Sequence, residues 1–458
     1  MALGSQGGLS TPNASEASQF VVKDFNFAAD KKTTANLSSQ DGITFTRSGA
    51  AYYNNSLGNL VAASSGEPVY EYSQAGASLG MRIEKGTTNR VEVTDLTDSG
   101  EPGDNWAVQG GGLAIDFDGT TTGPDNVADS AAKIVGYSGA SASYHVTYLA
   151  NALTPHTGGA HRNNWSGSVY AKKGNVEFLG MILATGNKVG AVFNLDDGTV
   201  AGASNEYFSN CTASIEDVGG GWYRCKCENT TGIDTNYGAF GFTLSKDKDL
   251  IWNASTGAWA SRSGDRQDDG SANYLYLFGP QYEDSTFCTS YMHNAGQAGS
   301  GVVRNPDVCS ITDISSFYNP TQGAFAVEGS RTIAGSSALP TILEVNDNST
   351  SETMGFNASA TEEQFAINGA GGSATLDAGD DIAKNTAFKV AGAYKAGNYG
   401  ACLNGGTVNT NTLAAVPTVD QLHFGASENP SRELNGFISR VRYWRRRVSD
   451  AFLKKIST

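Results

Sequence analysis

The sequence has little charge, little cysteine or methionine, and no long hydrophobic run. Charged residues make up 17% of its 458 positions, and it contains 6 cysteines and 5 methionines. So low a charged fraction, beside 56 glycines, argues against a coiled coil. No stretch approaches the ~18 apolar residues of a membrane-spanning helix. The start of the chain lacks the basic and apolar regions of a signal peptide. We therefore expect no membrane insertion.

The cysteines are too thinly spread for a disulfide framework in a chain of this length. Cys225 and Cys227 form a C-x-C without a second pair at zinc spacing. We therefore expect reduced thiols at all six positions, which are Cys211, Cys225, Cys227, Cys288, Cys309 and Cys402.

The charge balance is acidic and uneven. The chain has 31 basic and 46 acidic residues, a net charge of −15, which argues against nucleic acid and anionic membrane as partners. Arg440–Thr458 nevertheless carries seven basic residues and one acidic residue, or +6, which leaves −21 for the remainder. We predict that a basic patch here docks an acidic neighbour, an acidic glycan or the chain's own acidic face; the alternative is a solvated strand edge guarded by charge. The patch consists of Arg442, Arg445, Arg446 and Arg447.

Short apolar runs and period-two alternation dominate the sequence, and clusters of Gly, Asn and Asp separate them. This pattern predicts an all-β fold of consecutive β-sandwich domains. Both faces of the run Tyr274–Phe278 are apolar, which predicts a strand inside a sandwich rather than on its rim. The clearest strands are expected at Gly42–Arg47, Trp165–Lys172, Trp222–Cys227, Asn273–Phe278, Ala324–Glu328, Pro340–Val345, Ala387–Tyr394, Gln421–Gly425 and Gly436–Trp444.

One short helix is predicted at the C-terminal end. Ser449 can cap its N-terminus, and Phe452, Leu453 and Ile456 then share one face. Composition places an extended, small and polar N-terminal arm at residues 1–25. We expect a small β-rich module at 26–100 and larger domains at 101–305 and 306–458.

Four ordered groups of motifs carry a resemblance. They are Phe45–Ser48 with Leu79–Glu84 and Thr88–Arg90; Trp165–Gly174; Asp217–Cys225; and Tyr276–Glu283 with Thr289–Tyr291 and Val303–Asp307. Together they resemble a family of tailed-phage virion proteins of the fibre or spike type. Tyr70 stands where that family's opening motif has an arginine. The other interpretation of every motif is architectural: strands, turns and core.

The resemblance also extends to the domains. Residues 101–305 are similar to a jelly-roll carbohydrate-binding module, and 306–458 to a laminin-G or concanavalin A-like sandwich. This sequence differs from the laminin-G or concanavalin A-like pattern at Trp444–Arg447, where relatives are expected to have a proline before two basic residues. The motifs on which the laminin-G or concanavalin A-like similarity depends are Phe388–Tyr394, Cys402–Gly405, Leu422–Gly425, Leu434–Tyr443 and Ser449–Leu453.

The resemblance implies a non-enzymatic virion protein, either a tail or head fibre, a spike or a capsid decoration protein. Residues 1–25 would attach it to other virion proteins of the capsid or tail. The sandwiches would project and bind host surface polysaccharide, and such proteins are commonly homotrimers, which adds avidity. The implied location is the virion, assembled in the host cytoplasm.

Candidate ligand sites follow from residue chemistry. Trp252, Trp259 and Arg266 lie in a polar loop, where aromatic faces could stack on sugar rings; packing under the loop is the alternative. No organic cofactor is expected. Calcium is the metal that such modules could hold in an oxygen-rich loop, although solvated turns explain the same residues equally well. The calcium candidates are Asp116, Asp118, Asp196, Asp197 and Asn346–Asn348.

The sequence contains no P-loop and no H-E-x-x-H. His156 and His161 lie in a loop that offers no rigid face for a metal. The sequence nominates no carboxylate pair at the ~5–9.5 Å separation that a glycosidase needs. Two alternatives nevertheless stay open, a polysaccharide depolymerase or glycosidase and a capsid-cementing protein without a ligand.

Overall fold

A computed structural model gives the fold. It describes residues 21–91, 94, 96, 106–109, 113–136, 146–149, 165–184, 189–201, 211–229, 240–246, 252–253, 258–259, 273–294, 301–333, 339–428 and 432–458. Most of these residues belong to strands, which confirms the predicted all-β, β-sandwich class. No helix in these ranges is long and apolar enough to cross a membrane.

The first two thirds of the chain contain most of the strands. They are β1 (Val21–Phe25), β2 (Thr44–Thr46), β3 (Ala51–Asn54), β4 (Leu60–Ala63), β5 (Tyr70–Tyr72), β6 (Ser78–Ile83), β7 (Thr87–Asn89), β8 (Trp106–Gln109), β9 (Leu113–Thr121), β10 (Ala131–Gly136), β11 (Val146–Leu149), β12 (Ser166–Lys173), β13 (Phe178–Ala184), β14 (Val189–Asn194), β15 (Thr199–Val200), β16 (Cys211–Gly219), β17 (Trp222–Asn229), β18 (Gly241–Ser245), β19 (Trp252–Asn253), β20 (Ala258–Trp259), β21 (Asn273–Glu283) and β22 (Val302–Arg304). A helical turn α1 (Thr34–Asn36) runs into a short π-helix (Leu37–Asp41).

The last third adds the remaining strands and the closing helix. These are β23 (Val308–Ile311), β24 (Gln322–Arg331), β25 (Thr341–Asn346), β26 (Thr353–Ala358), β27 (Glu362–Gly369), β28 (Gly372–Asp380), β29 (Thr386–Lys395), β30 (Tyr399–Leu403), β31 (Asn409–Asn411), β32 (Gln421–Phe424), β33 (Gly436–Trp444) and α2 (Asp450–Ile456).

Two compact units result. The first comprises residues 1–45, 79–83 and 308–458, and the second comprises 46–78 and 84–307. The predicted division into four consecutive segments stays a prediction. Of the predicted arm, residues 1–20 lie outside the described ranges, whereas β1 pairs antiparallel with β33 inside the first unit.

The first unit is a sandwich of two antiparallel sheets. One sheet has the order β31-β30-β29-β24-β33, with β1 and β6 both beside β33, and the other has the order β2-β23-β32-β25-β26-β27-β28. The sheets approach closely at Gly392, where an added Cβ would lie 2.9 Å from the Phe356 ring. Phe25 of β1 meets Phe424 of β32 edge to face, with ring centroids 5.2 Å apart. This inter-sheet layer is the core of the unit.

Helix α2 covers the outer face of the first of these sheets. Ser449 caps the helix by accepting a hydrogen bond from the Phe452 N–H at 3.2 Å, as predicted. Leu453 and Ile456 are buried against a patch of small side chains. That patch consists of Ala324, Ala326, Ala391, Ala393 and Cys402. Small residues on the strands therefore make room for the helix.

The second unit also stacks two antiparallel sheets, in the orders β16-β17-β12-β21-β10-β9 and β15-β14-β13-β18-β11-β8. Their facing sides share one apolar core, to which Leu275 and Leu277 contribute from β21 and Met181 and Phe242 from the opposite sheet. The predicted strand at Asn273–Phe278 extends to Glu283, between β12 and β10.

The expectation of six reduced thiols was wrong. Cys211 and Cys227 form a disulfide between the neighbouring strands β16 and β17, while Cys225, Cys288, Cys309 and Cys402 are free thiols. Antiparallel pairing of these two consecutive strands brings together cysteines that are 16 residues apart in sequence, and spacing alone did not reveal it.

β21 lies inside the sandwich rather than on its rim, as predicted, with β12 and β10 on either side of it. Its leucine face is buried, with Leu275 and Leu277 each 1% exposed. Tyr274, Tyr276 and Phe278 occupy the opposite face and are only half-buried. Both faces of the strand carry apolar side chains, and other side chains cover the outer face of this sheet only in part.

Candidate functional site

The predicted sugar-contacting tryptophans lie on a small hairpin. Strands β19 and β20 pair antiparallel, with Trp252 directly opposite Trp259 in register. Arg266 lies outside the described residues. Sugar contact by these three residues stays a prediction.

The structure divides the predicted basic patch. Arg442 binds Glu328, with 2.8 Å between guanidinium and carboxylate, and Arg447 binds Asp450. Arg445 and Arg446 occupy the exposed turn between β33 and α2. Two of the four arginines thus stabilise the first unit from within. The other two, Arg445 and Arg446, are exposed to solvent at the turn. Docking by the patch stays a prediction.

The resemblance motifs converge on a buried ion network in the second unit. Arg304 lies 3.0 Å from a carboxylate oxygen of Glu84 and also donates to Lys85 O at 3.1 Å. Glu84 in turn accepts hydrogen bonds from the backbone N–H and the hydroxyl of Ser290, at 3.0 and 2.7 Å. Arg304 is 1% exposed. The first and last motif groups therefore meet in one cluster, although about two hundred residues separate them.

Asp307 extends this network. It accepts the Glu84 N–H at 2.9 Å, and its other oxygen lies 3.6 Å from Arg47. Burial raises the pKa of Asp307 from its ordinary value of 3.8 to about 6, although Arg304 and Arg47 oppose that shift. The site resembles a structural lock more than a catalytic centre, because each carboxylate already has a protein partner.

The remaining motifs join the same region. Glu283, at the end of β21, accepts hydrogen bonds from the N–H and hydroxyl of Thr289, at 3.0 and 2.5 Å. Arg224 of β17 donates to Thr289 O at 2.6 Å and to the Ser168 hydroxyl at 3.0 Å. Burial raises the pKa of Glu283. These contacts support the architectural interpretation of the motifs.

An aromatic surface lies on the outer face of the sheet that contains β21. Tyr276 stands directly opposite Lys133 of β10 and Lys172 of β12, so the three residues share one face. Tyr274 lies two residues away on the same face, with its ring centroid 5.6 Å from that of Tyr276. We call the surface formed by Lys133, Lys172, Tyr274 and Tyr276 the tyrosine face.

The two lysines of the tyrosine face lie against aromatic rings. Lys133 Nζ is 4.7 Å from the centroid of the Tyr274 ring, and Lys172 Nζ is 6.0 Å from that of Trp222. Trp222 itself is buried, and its Nε1 donates to Thr122 O at 3.2 Å. Cation–π contacts of this kind order the lysine chains beside the tyrosines.

A hairpin explains why only part of the sheet is exposed. Leu60, on β4, packs with Tyr170, Trp222 and Tyr291 over the neighbouring part of the outer face, and Tyr276 and Phe278 border that cluster. Tyr274 is not part of it. The tyrosine face is therefore the margin that the β3–β4 hairpin leaves half-covered. The alternation in Tyr274–Phe278 signalled these residues, but it could not show how far the hairpin reaches.

The described ranges offer little for catalysis or metal binding. Within them, no group of three or more His, Cys, Asp or Glu side chains could hold a metal ion. Among the calcium candidates, Asn346 is buried, donates to Glu344 at 2.9 Å and accepts the Asn348 N–H at 3.0 Å, which forms a turn. The side chains of Asp116 and Asp118, together with His156 and His161, lie outside what the structure describes.

Comparison with known proteins gives only distant fold neighbours. No protein family matches the sequence, and no curated protein matches it. A sialidase CBM40 module of Ruminococcus gnavus, bound to α2,6-sialyllactose, aligns at 15% identity over 31% of this chain and 85% of its own, with a TM-score of 0.27. A leech intramolecular trans-sialidase aligns at 14% identity over 30% of this chain and 23% of its own, with a TM-score of 0.26. Mouse laminin α1 domains LG4–5 align at 8% identity over 63% and 83%, with a TM-score of 0.22.

Proposed function

We propose that the chain is a non-enzymatic structural protein of a phage particle, a fibre, spike or decoration protein, that binds host surface glycan through the tyrosine face. The observation that carries the glycan-binding part is the pair of half-buried tyrosines Tyr274 and Tyr276, flanked by Lys133 and Lys172 on the adjacent strands. The ordered motif resemblance supports the particle assignment.

The chemistry of the tyrosine face suits a sugar chain. Aromatic rings stack on the apolar faces of pyranoses, while phenol hydroxyls and lysine ammonium groups donate hydrogen bonds to ring hydroxyls. The rings stand on a strand held on both sides by β12 and β10, so little conformational entropy is lost when a ligand binds. Affinity for one ligand chain would be modest, and several copies on a particle would multiply it.

The test is binding of the full chain to a glycan array and to purified host polysaccharide. Tyr274→Ala/Tyr276→Ala should weaken binding at least tenfold, since each stacked ring contributes about 1 kcal/mol. Tyr72→Ala, a half-buried tyrosine elsewhere in the second unit, serves as the matched control and should bind as the wild type does. Unchanged binding by the double variant would refute the tyrosine face as the site.

The same polysaccharide distinguishes the depolymerase. Release of oligosaccharides after prolonged incubation would overturn the non-enzymatic proposal. Absence of any glycan binding, together with particles that lose stability when the protein is omitted, would favour capsid cementing.

The particle assignment has its own test. Imaging of particles that carry a labelled copy should show the protein projecting from the surface, and its symmetry there tests the homotrimer. Deletion of residues 1–20, the part of the predicted arm that precedes β1, should abolish incorporation. If incorporation survives the deletion, the arm is not the attachment segment.

A further inference from the structure

A polar cleft lies on the first unit, beyond the end of α2. The helix ends at Ile456, and the outer face of β24, β29 and β33 continues past it. The cleft has a volume of about 290 Å³. Its lining includes Gly329, Ala387 and Ser439, whose small size leaves the space open. The same preference for small residues that lets α2 dock thus leaves a hollow where the helix stops.

Fixed polar groups surround this hollow. Glu328 and Lys389 lie directly opposite each other in the β24–β29 pair. Glu328 accepts a hydrogen bond from Arg442 at 2.8 Å, and Lys389 Nζ donates to the backbone oxygen of Thr458 at 2.9 Å. Both charges therefore have protein partners, which holds the side chains in place and reduces the net field in the cleft.

Hydroxyl and amide groups complete the lining. The Asn404 Oδ1 accepts the backbone N–H of Lys389 at 2.8 Å, so that the other end of the amide, a donor, is held in a fixed orientation. The Ser457 hydroxyl is buried and donates to Lys454 O at 3.2 Å, with Thr458 beside it in the lining. The Ser457 hydroxyl also accepts the Gly405 N–H at 3.2 Å and is thereby occupied, so that the Asn404 amide and the Ser439 hydroxyl remain for a ligand.

The residues that line the cleft limit the class of ligand that it can bind. Phe388 is the aromatic residue of the lining and is 2% exposed, so the cleft offers no ring for an apolar or stacking ligand. A strongly anionic ligand would face the Glu328 carboxylate, and a cation would face Lys389. The lining has one acidic and one basic side chain and several neutral hydrogen-bonding groups. A ligand with several neutral hydroxyl groups can donate to the acceptors and accept from the donors.

We propose that this cleft binds a neutral mono- or disaccharide, as a site separate from the tyrosine face. Its volume lies at the lower end of the ~300–1,000 Å³ typical of small-molecule sites, which suits one or two sugar rings rather than an extended chain. The ligand would hydrogen-bond Asn404, Lys389 and Ser439. Its occupancy depends on none of the residues that form the tyrosine face.

The experiment uses the full chain carrying Tyr274→Ala/Tyr276→Ala, so that the tyrosine face is disabled. Glucose, galactose, mannose, maltose and lactose are titrated individually and followed by ligand-observed NMR. At least one should bind. Ser439→Phe, which fills the cleft, should weaken that binding at least tenfold, and Asn404→Gly, which keeps the left-handed backbone at φ +49° accessible, should weaken it several-fold. Lys395→Ala, exposed on the same strand, is the control and should leave binding unchanged.

The outcomes separate the two sites. If none of the five sugars binds the wild-type chain, or if binding survives Ser439→Phe, the cleft proposal is wrong. Binding to the wild-type chain that disappears in the tyrosine double variant would also overturn it, because the sugar then occupies the tyrosine face. Retained cleft binding with no polysaccharide binding would support the cleft and refute the proposed function of the tyrosine face.

Discussion

Replacing Arg304 by methionine tests whether the motif network is a structural lock. The variant removes a guanidinium that is 1% exposed and lies 3.0 Å from Glu84. Methionine keeps much of the chain length but supplies neither charge nor donors. Glu84 then keeps the hydrogen bonds from Ser290 but loses its ion pair, and Asp307 loses one of its two neighbouring cations.

The expected loss is large because a buried charge is left without its partner. Breaking a buried ion pair from one side costs about 3–5 kcal/mol of unfolding free energy. The Arg440→Met variant is the matched control: Arg440 pairs with Asp24 where both side chains are 36% exposed, and its loss should cost at most about 1 kcal/mol. The two variants make the same chemical change at opposite degrees of burial.

The loss should depend on pH. Arg304 and Arg47 oppose the burial that raises the pKa of Asp307 to about 6, so removing Arg304 raises that pKa further. At pH 5 Asp307 can take a proton and restore the charge balance of the cluster, whereas at pH 8 it is driven to stay ionised. We therefore expect a smaller loss at pH 5 than at pH 8.

Native-state hydrogen exchange provides the assay, because a chain of two units does not unfold as one two-state system. Peptides from β7, β21 and β22 report the second unit, and peptides from β24 and β29 report the first. A loss below about 1 kcal/mol at pH 8, or an equal loss at both pH values, would refute the structural-lock interpretation.

Three further predictions follow from other parts of the structure. Thiol titration of the denatured, unreduced protein should count four reactive cysteines, and six after reduction; six before reduction would disprove the bond between Cys211 and Cys227. Reduction should destabilise the second unit by about 3 kcal/mol, as expected for a closed loop of this length. Ser449→Ala should cost about 1 kcal/mol and raise hydrogen exchange at Phe452, because the N-cap acceptor is lost; unchanged exchange would contradict the cap. In the wild type, Asp307 binds its proton more tightly when folded, so its contribution of about 3 kcal/mol should be lost as the pH rises from about 4 to about 6; a shallower slope over this range in Asp307→Asn than in the wild type would support the assignment, and equal slopes would contradict it.

Local patterns predicted the elements well. The run at Gly436–Trp444 is one strand with those ends, and Ser449 begins the closing helix. Both predictions depend on residues within a few positions of each other, through side-chain alternation and a capping hydroxyl. Neighbouring residues therefore suffice for strands, turns and caps.

Contacts between distant residues escaped prediction for the same reason. Arg440 is neutralised by Asp24 and Arg442 by Glu328, so part of the basic run is balanced by acids that lie far away in the sequence. The bond between Cys211 and Cys227 likewise depends on the pairing of β16 with β17. Strand register decides which charges and thiols meet, and composition does not contain it.

The network and the tyrosine face stand at opposite ends of the same strand, which makes stability and binding separable. β21 carries Tyr274 and Tyr276 near its start and Glu283 at its end. At ~3.4 Å per residue, Tyr276 and Glu283 lie roughly 24 Å apart along the strand. Hydrogen bonds that fix the far end also fix the position of the tyrosines, and rigid placement lowers the entropy lost on binding. A variant that weakens the network should therefore reduce glycan affinity only to the extent that β21 becomes less rigid. Removal of the two tyrosine rings should weaken glycan binding at least tenfold and leave the stability of the network unchanged.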